Sequence, residues 1–108
     1  GELARTLLGA VADSINSIDE LIQKGDLAGA GREAHNLVST AGSVGAVVVS
    51  EMARQVENVA KSGDTEQCLY ALVELRDAFA RARRPLRDYL DCADPTRSGN
   101  APPHASAA

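Results

Sequence analysis

Residues 27–42 have the sequence LAGAGREAHNLVSTAG, the stretch with the clearest fold signal in the chain. Projected at about 100° per residue, its larger apolar side chains fall on one arc about 100° wide. The members of that arc are Leu27, Ala30, Ala34, Leu37, Val38 and Ala41. Apolar residues confined to one stripe are typical of a helix that buries one side and exposes the other. The stretch therefore predicts an amphipathic helix.

Three other segments show the same helical spacing of apolar residues. We predict helices over residues 3–24, from 27 to between 42 and 45, over 46–61, and from 65 to about 93. Residues 44–49 are rich in β-branched valine, which also suits a buried strand, but no partner strand is predicted, so a helix is favoured. The fourth helix is expected to bury Leu69, Leu72, Val73, Leu75, Phe79, Ala82, Leu86 and Leu90.

Glycine followed by aspartate separates the predicted helices at Gly25-Asp26 and at Gly63-Asp64. Glycine tolerates the left-handed conformation that ends many helices, and aspartate accepts hydrogen bonds from the first turn of the next helix. Pro85 lacks the N–H that would bond to the carbonyl of the residue four before it, so we expect a kink or a short break there. Four amphipathic helices with short connections predict an all-α, antiparallel (up-down) four-helix bundle.

Residues 94–108 differ in character from the rest of the chain. They are rich in Pro, Ala and Ser and lack apolar periodicity, so they predict a mobile extension. We therefore predict one bundle domain over residues 1–93 and a flexible Pro/Ala-rich tail over residues 94–108. The chain begins with Gly1 rather than Met, so we expect a piece of a larger protein.

Composition narrows the function classes. The chain has 108 residues, 44% of them hydrophobic, and a formal net charge of −4. An acidic chain is a poor partner for nucleic acid, and the longest apolar run, residues 46–49, is too short to span a bilayer. Cys68 and Cys92 match neither a disulfide framework nor a metal-ligand set. We expect reduced thiols in a cytoplasmic protein with no metal or cofactor of its own.

His35 lies off the apolar arc, about 100° from Ala34 on the helical projection. Four of the residues one and two helical turns away from it are small: Ala28, Gly31, Ser39 and Gly42. Glycine within a helix costs about 1 kcal/mol relative to alanine, so these residues indicate a surface that another protein approaches closely. Neutral imidazole is a nucleophile near pH 7 and can attack phosphorus without a separate activating base.

The residues alone leave a second interpretation of this surface open. In that interpretation His35 is an ordinary histidine at the solvent boundary, and the glycines are contact points between packed helices. His104, the chain's other histidine, lies in the predicted tail, where we expect no role for it.

Residues 34–46, AHNLVSTAGSVGA, resemble the signature of histidine-containing phosphotransfer (HPt) domains of multistep two-component phosphorelays. In that family Ala-His-x-Leu-Lys-Gly is followed, after a short spacer, by a Gly-Ala pair. The matching positions are Ala34, His35, Leu37, Gly45 and Ala46. The resemblance extends over most of residues 3–91, because the order of helices and the two Gly-Asp pairs also agree.

The resemblance implies that His35 accepts a phosphoryl group from an aspartate of one receiver domain and passes it to an aspartate of another. It implies response-regulator receiver domains and a sensor or hybrid histidine kinase as partners, with Mg²⁺ on the receiver. It also implies a phosphoryl carrier without ATP-dependent kinase activity. We expect a monomeric domain and, from the charge and the short apolar runs, neither nucleic acid as a partner nor membrane insertion. The expected docking surface comprises Ala28, Gly31, Arg32, Ser39 and Gly42.

Two positions depart from the family pattern. Val38 stands where the family usually has a lysine, whose ammonium lies near the phosphoryl group, and Ser39 stands where it usually has glycine. Serine is still small enough for a partner to approach. Arg32, one turn before His35, is expected to replace the lost positive charge in part.

Three other functions are alternatives to phosphotransfer. The first is a non-catalytic helical interaction module in which His35 is incidental. The second is a nucleic-acid-binding patch formed by the arginines Arg76, Arg81, Arg83, Arg84 and Arg87. Asp77 and Asp88 lie among these arginines, however, and favour surface ion pairs such as Arg84–Asp88. The third is a dimerising sensor-kinase helix, where an acidic residue usually follows the histidine; here Asn36 follows.

Overall fold

The computed structural model describes residues 2–93, which form four α-helices. They are α1 (Glu2–Gln23), α2 (Leu27–Ser43), α3 (Val47–Ser62) and α4 (Thr65–Ala93). Helices α1 and α3 each pack against both α2 and α4, so the four helices close into a ring round one core. The predicted all-α four-helix bundle is confirmed. The tail predicted over residues 94–108 lies outside the described residues.

Contacts between neighbouring helices show that they run antiparallel. On the α2–α3 side, Ser50 donates to the backbone oxygen of Val38, and further along His35 meets Glu57. The residue number rises on one helix as it falls on the other. Short connections between consecutive helices impose this arrangement, because the chain must reverse direction within a few residues.

At both Gly-Asp pairs one helix ends and the next begins, as predicted. Gly25 and Gly63 adopt left-handed backbone angles, with φ of 81° and 78°. The Asp26 side chain accepts a hydrogen bond from the backbone N–H of Gly29 at 2.9 Å. A third left-handed glycine, Gly45 with φ of 79°, lies in the turn between α2 and α3. Helix α2 therefore ends at Ser43, before Gly45, and α3 begins at Val47.

The core is aliphatic and continuous along the bundle. Its largest fully buried side chains are Ile15, Ile18, Ile22, Leu37, Leu75, Val11, Val49, Val56 and Cys68. Burial raises the pKa of the Cys68 thiol, and the neighbouring Asp64 carboxylate raises it further. The thiol therefore stays protonated and packs as a small apolar group. Both Cys68 and Cys92 are free.

Three local expectations are wrong. Val73 is 64% exposed rather than buried, because it lies beside Leu72 on the outer side of α4. Of the kink or short break expected at Pro85, the break does not occur, because helix α4 continues through this residue. Ala82, Leu86 and Leu90 on either side of it pack against or within the core.

The third wrong expectation concerns an ion pair on α4. Arg81 pairs with Asp77 at 3.2 Å, but the expected Arg84–Asp88 pair does not form among the described side chains. In the pair that forms, the acid precedes the base along the helix. That order is the more favourable one for an (i, i+4) pair. No helix within residues 2–93 is long and apolar enough to cross a membrane.

The continuity of α4 yields a stability prediction. Pro85 removes one backbone hydrogen bond from a helix that the core contacts hold together, so Pro85→Ala should restore that bond and stabilise the protein by about 1–3 kcal/mol. Chemical denaturation measures the change. Arg84→Ala is the matched control, because arginine and alanine have similar helix propensities; it should change stability by less than about 0.5 kcal/mol. A destabilised Pro85→Ala protein would contradict the prediction.

Candidate functional site

His35 lies on the outer side of α2, where the helical projection predicts it. Its side chain is 68% exposed, while Ala34 and Leu37 on the same helix are fully buried. The core face of α2 thus fixes the direction in which the histidine points. An exposed imidazole of this kind is accessible to the reacting group of another molecule.

Glu57 of α3 holds one nitrogen of this imidazole. Its carboxylate Oε2 lies 2.9 Å from His35 Nδ1, and its side chain is only 19% exposed. An ionised carboxylate only accepts hydrogen bonds, so Nδ1 carries the proton and donates. In the neutral ring the lone pair is then on Nε2. Glu57 therefore fixes both the orientation of the ring and the nitrogen that can act as a nucleophile.

The short distance between His35 and Glu57 requires α2 and α3 to lie close together. Gly31 is located where they approach: a Cβ added there would lie 3.3 Å from the Ala60 Cβ. That is tighter than an ordinary van der Waals contact, so a larger residue at position 31 would push the helices apart. Ala60 itself is small and buried. Two small residues facing each other let α3 bring Glu57 within hydrogen-bond distance of His35.

Two of the three glycines of α2, Gly29 and Gly31, therefore have internal structural causes. Gly31 lies at the contact with α3, and a Cβ on Gly29 would collide with the Asp26 carboxylate that caps the helix. The interpretation of the glycines as contact points between packed helices is thus correct for Gly31, whereas Gly29 makes room for the cap of its own helix. At Gly42 an added Cβ would meet nothing closer than the Ser50 Oγ, at 3.9 Å, so its small size has no comparable cause.

A groove between α2 and α3 surrounds His35. Leu27 and Ala60 contribute apolar surface to it, and Arg32 and Lys61 contribute positive charge. Arg32 comes from α2, three residues before His35, and Lys61 comes from α3, four residues after Glu57. The groove thus holds two cations, Arg32 and Lys61, together with the nucleophilic ring and the Glu57 carboxylate. The two cations make it suited to an anionic ligand.

The structure brings part of the predicted docking surface together at this groove. Ala28, Gly31 and Arg32 line it along with His35. Ser39 is exposed, one turn further along α2. Gly42 is also exposed but lines a separate groove near Tyr89. The docking surface as a whole stays a prediction. Among the described residues, no group of side chains is arranged to hold a metal ion.

The sequence does not identify Glu57 and Lys61 as site residues. They lie on α3, far from His35 along the chain, and acidic or basic residues on an exposed helix face are common. A periodicity argument gives the faces of each helix but not the register in which two helices pack. That register, set by the contact at Gly31, selects the two residues.

Fold and site together define a four-helix domain built round one exposed, oriented histidine. The model of the Hpt domain family matches residues 2–85. No curated protein and no solved structure gives a significant match to the chain. The family match covers most of the chain, and the chain belongs to the Hpt domain family. It therefore has a histidine phosphotransfer role in phosphorelays, in which Hpt domains are phosphoryl carriers that interact with receiver and kinase domains.

Gly31 and Gly42 of α2 provide a matched test of the helix contact. Alanine at either position gains up to about 1 kcal/mol of helix propensity. Gly42→Ala should keep that gain, because its Cβ has ordinary space. Gly31→Ala should lose most or all of it against Ala60, since crowding of a packed contact costs about 1 kcal/mol or more. Denaturant unfolding of both variants measures the difference; equal stabilisation would show that α2 and α3 are not closely packed there.

Proposed function

We propose that His35 Nε2 accepts a phosphoryl group from the aspartate of one receiver domain and passes it to the aspartate of another. The observation that carries the proposal is the exposed His35 ring with Nδ1 bonded to Glu57. This bond leaves Nε2 with its lone pair on an accessible face. Membership of the Hpt domain family supplies the kind of reaction.

The chemistry needs no base from this chain. The Nε2 lone pair attacks the phosphorus of the aspartyl phosphate, an N–P bond forms, and the P–O bond to the aspartate breaks. The aspartate leaves as a carboxylate with the electron pair, while the Nδ1 proton remains on the ring and hydrogen-bonds to Glu57. The phosphorylated ring is therefore a cation that the Glu57 carboxylate stabilises. Transfer to the second receiver is the reverse process at another aspartate.

Arg32 and Lys61 supply the positive charge in this proposal. The incoming phosphoryl group carries up to two negative charges, and the nearby Glu57 carboxylate adds a third. Val38 leaves the usual family lysine position without a cation. Arg32 and Lys61 line the same groove as His35, so their charges offset those of the phosphoryl group. The expected partial replacement by Arg32 is thus extended by a second cation from α3.

The proposal assigns the remaining requirements to the partner. The receiver brings Mg²⁺ and its own acidic pocket, and it docks over Ala28, Gly31, Arg32, Ser39 and Gly42. The chain acts as a monomeric carrier and has no ATP-dependent kinase activity. A cytoplasmic location is consistent with the two free thiols. In the alternative, a non-catalytic interaction module, His35 would never be phosphorylated.

Substitution of the histidine tests the proposal directly. His35→Gln should abolish labelling by a ³²P-phosphorylated receiver and leave stability within about 0.5 kcal/mol, because position 35 is exposed. His104→Gln is the matched control and should be labelled normally. The label on the unchanged protein should be acid-labile, as phosphohistidine is. Normal labelling of His35→Gln, or no labelling of the unchanged protein by any receiver, would contradict the proposal.

Glu57 is proposed as a positioning residue, so its substitution should affect the tautomer of the His35 ring as well as the rate of phosphoryl transfer. Glu57→Ala should slow phosphoryl transfer by about ten- to a hundredfold, the range seen when histidines that act as metal ligands lose such a partner. Glu57→Gln retains an oxygen acceptor for Nδ1–H and should lose less. Nitrogen-15 NMR should show a mixture of ring tautomers in Glu57→Ala and mainly the Nδ1–H tautomer in the unchanged protein. An unchanged tautomer ratio would rule out the positioning role.

The proposed role of Lys61 is testable by moving the charge. Lys61→Ala should slow transfer from a phosphorylated receiver by about tenfold, equivalent to about 1.4 kcal/mol. Adding Val38→Lys to Lys61→Ala should restore most of the rate by returning a cation to α2. Lys24→Ala, which removes an exposed lysine outside the groove, is the control. If Lys61→Ala transfers at the normal rate, Lys61 plays no part.

A further inference from the structure

The arginines of α4 have no role in the site on α2 and α3. In the ring of four helices, the seam between α1 and α4 lies opposite the seam between α2 and α3. Arg76, Arg83 and Arg87 of α4 line two adjoining grooves on this seam, and Arg5 of α1 faces them. The arginine seam, defined by these four residues, is therefore on the other side of the molecule from His35.

Among the described side chains, one of these four guanidinium groups already has partners. Arg76 donates to Asn16 and to Asp19 across the seam, at 3.2 and 3.0 Å. Arg5, Arg83 and Arg87 make no ion pair with another described side chain, and they line one groove together. No carboxylate lines that groove among the described side chains. The result is a local concentration of positive charge on a chain whose net charge is −4.

Gly9 is an independent observation at the same place. It lies within α1, where glycine is unfavourable, and it lines the groove with Leu8 and Ala12. An added Cβ at Gly9 would meet nothing within 4 Å, so no internal contact requires a glycine. This differs from Gly29 and Gly31, where the fold itself excludes a side chain. The missing side chain keeps the groove floor open to a partner.

We propose that the groove between Arg5, Arg83 and Arg87 binds an acidic segment of a partner protein. Arg83 and Arg87 lie one helical turn apart on α4, facing Arg5 and Gly9, which lie one turn apart on α1. Carboxylates placed at similar intervals along a segment meet the guanidinium groups as paired hydrogen-bonded ions. The small and apolar floor accommodates the segment's backbone and methylene groups.

Shape and charge favour a protein segment over other polyanions. A bilayer surface is broad and flat, whereas the arginines surround a narrow groove. A nucleic acid extends past such a groove and meets the rest of an acidic chain, which repels it. A short acidic segment contacts only the basic groove. Because the groove is opposite His35, the segment and a receiver can bind at the same time.

The test uses the full chain and a fluorescein-labelled, glutamate-rich peptide as the probe. The groove variant Arg5→Gln/Arg83→Gln/Arg87→Gln should bind the peptide about tenfold or more weakly. The control variant Arg54→Gln/Arg81→Gln/Arg84→Gln removes the same charge from exposed positions outside the groove and should lose less than about threefold. Binding should weaken as salt increases, because the contacts are exposed ion pairs.

A second variant tests the floor of the groove without changing charge. Gly9→Leu should weaken peptide binding about tenfold or more while its melting temperature is equal to or above that of the unchanged protein, since leucine is a good helix former. Equal losses in the groove and control variants, or unchanged binding by Gly9→Leu, would overturn the proposal. So would absence of peptide binding, or tighter binding to a DNA oligonucleotide or to phosphatidylserine vesicles than to the peptide.

Discussion

Where α2 and α3 approach each other, two residues without bulky side chains, Gly31 and Ala60, face one another. The contact sets both the distance between the helices and their register. From that register follow the bond between Glu57 and His35 and the presence of Lys61 in the groove. The site is thus a consequence of helix packing, because the residues that surround the imidazole belong to two different helices that must pack in one register.

The domain separates its packing from its chemistry by helix face. Leu37 and Ala34 anchor α2 in the core, while His35 between them is exposed. A rigid helix with a fully buried stripe holds the ring more precisely than a loop would, because the backbone on both sides is fixed by packing. The bond from Nδ1 to Glu57 restrains the rotation of the ring, so in the proposed reaction the phosphorus atom meets one defined nitrogen.

In the proposed function, the charges near His35 accommodate a departure from the family pattern. Val38, three residues after His35, is partly buried against the core. The family usually has a lysine at this position, whereas here the residue contributes to packing. Arg32 and Lys61 face the same groove from two different helices. Electrostatic interaction depends on distance and not on position in the chain, so a cation from α3 is equivalent to one from α2 when both reach the same place.

The apolar periodicity and the Gly-Asp pairs in the sequence were sufficient to predict the four helices. The faces of a helix follow from residue spacing, and its ends follow from local capping. His35 was identifiable for the same reason: its position off the apolar arc and its neighbours on α2 are local properties. The continuity of α4 through Pro85 was not, since distant core contacts outweigh a local preference. Nor were Glu57 and Lys61, because the register between two helices depends on how their surfaces fit, and that fit exists only once both are packed.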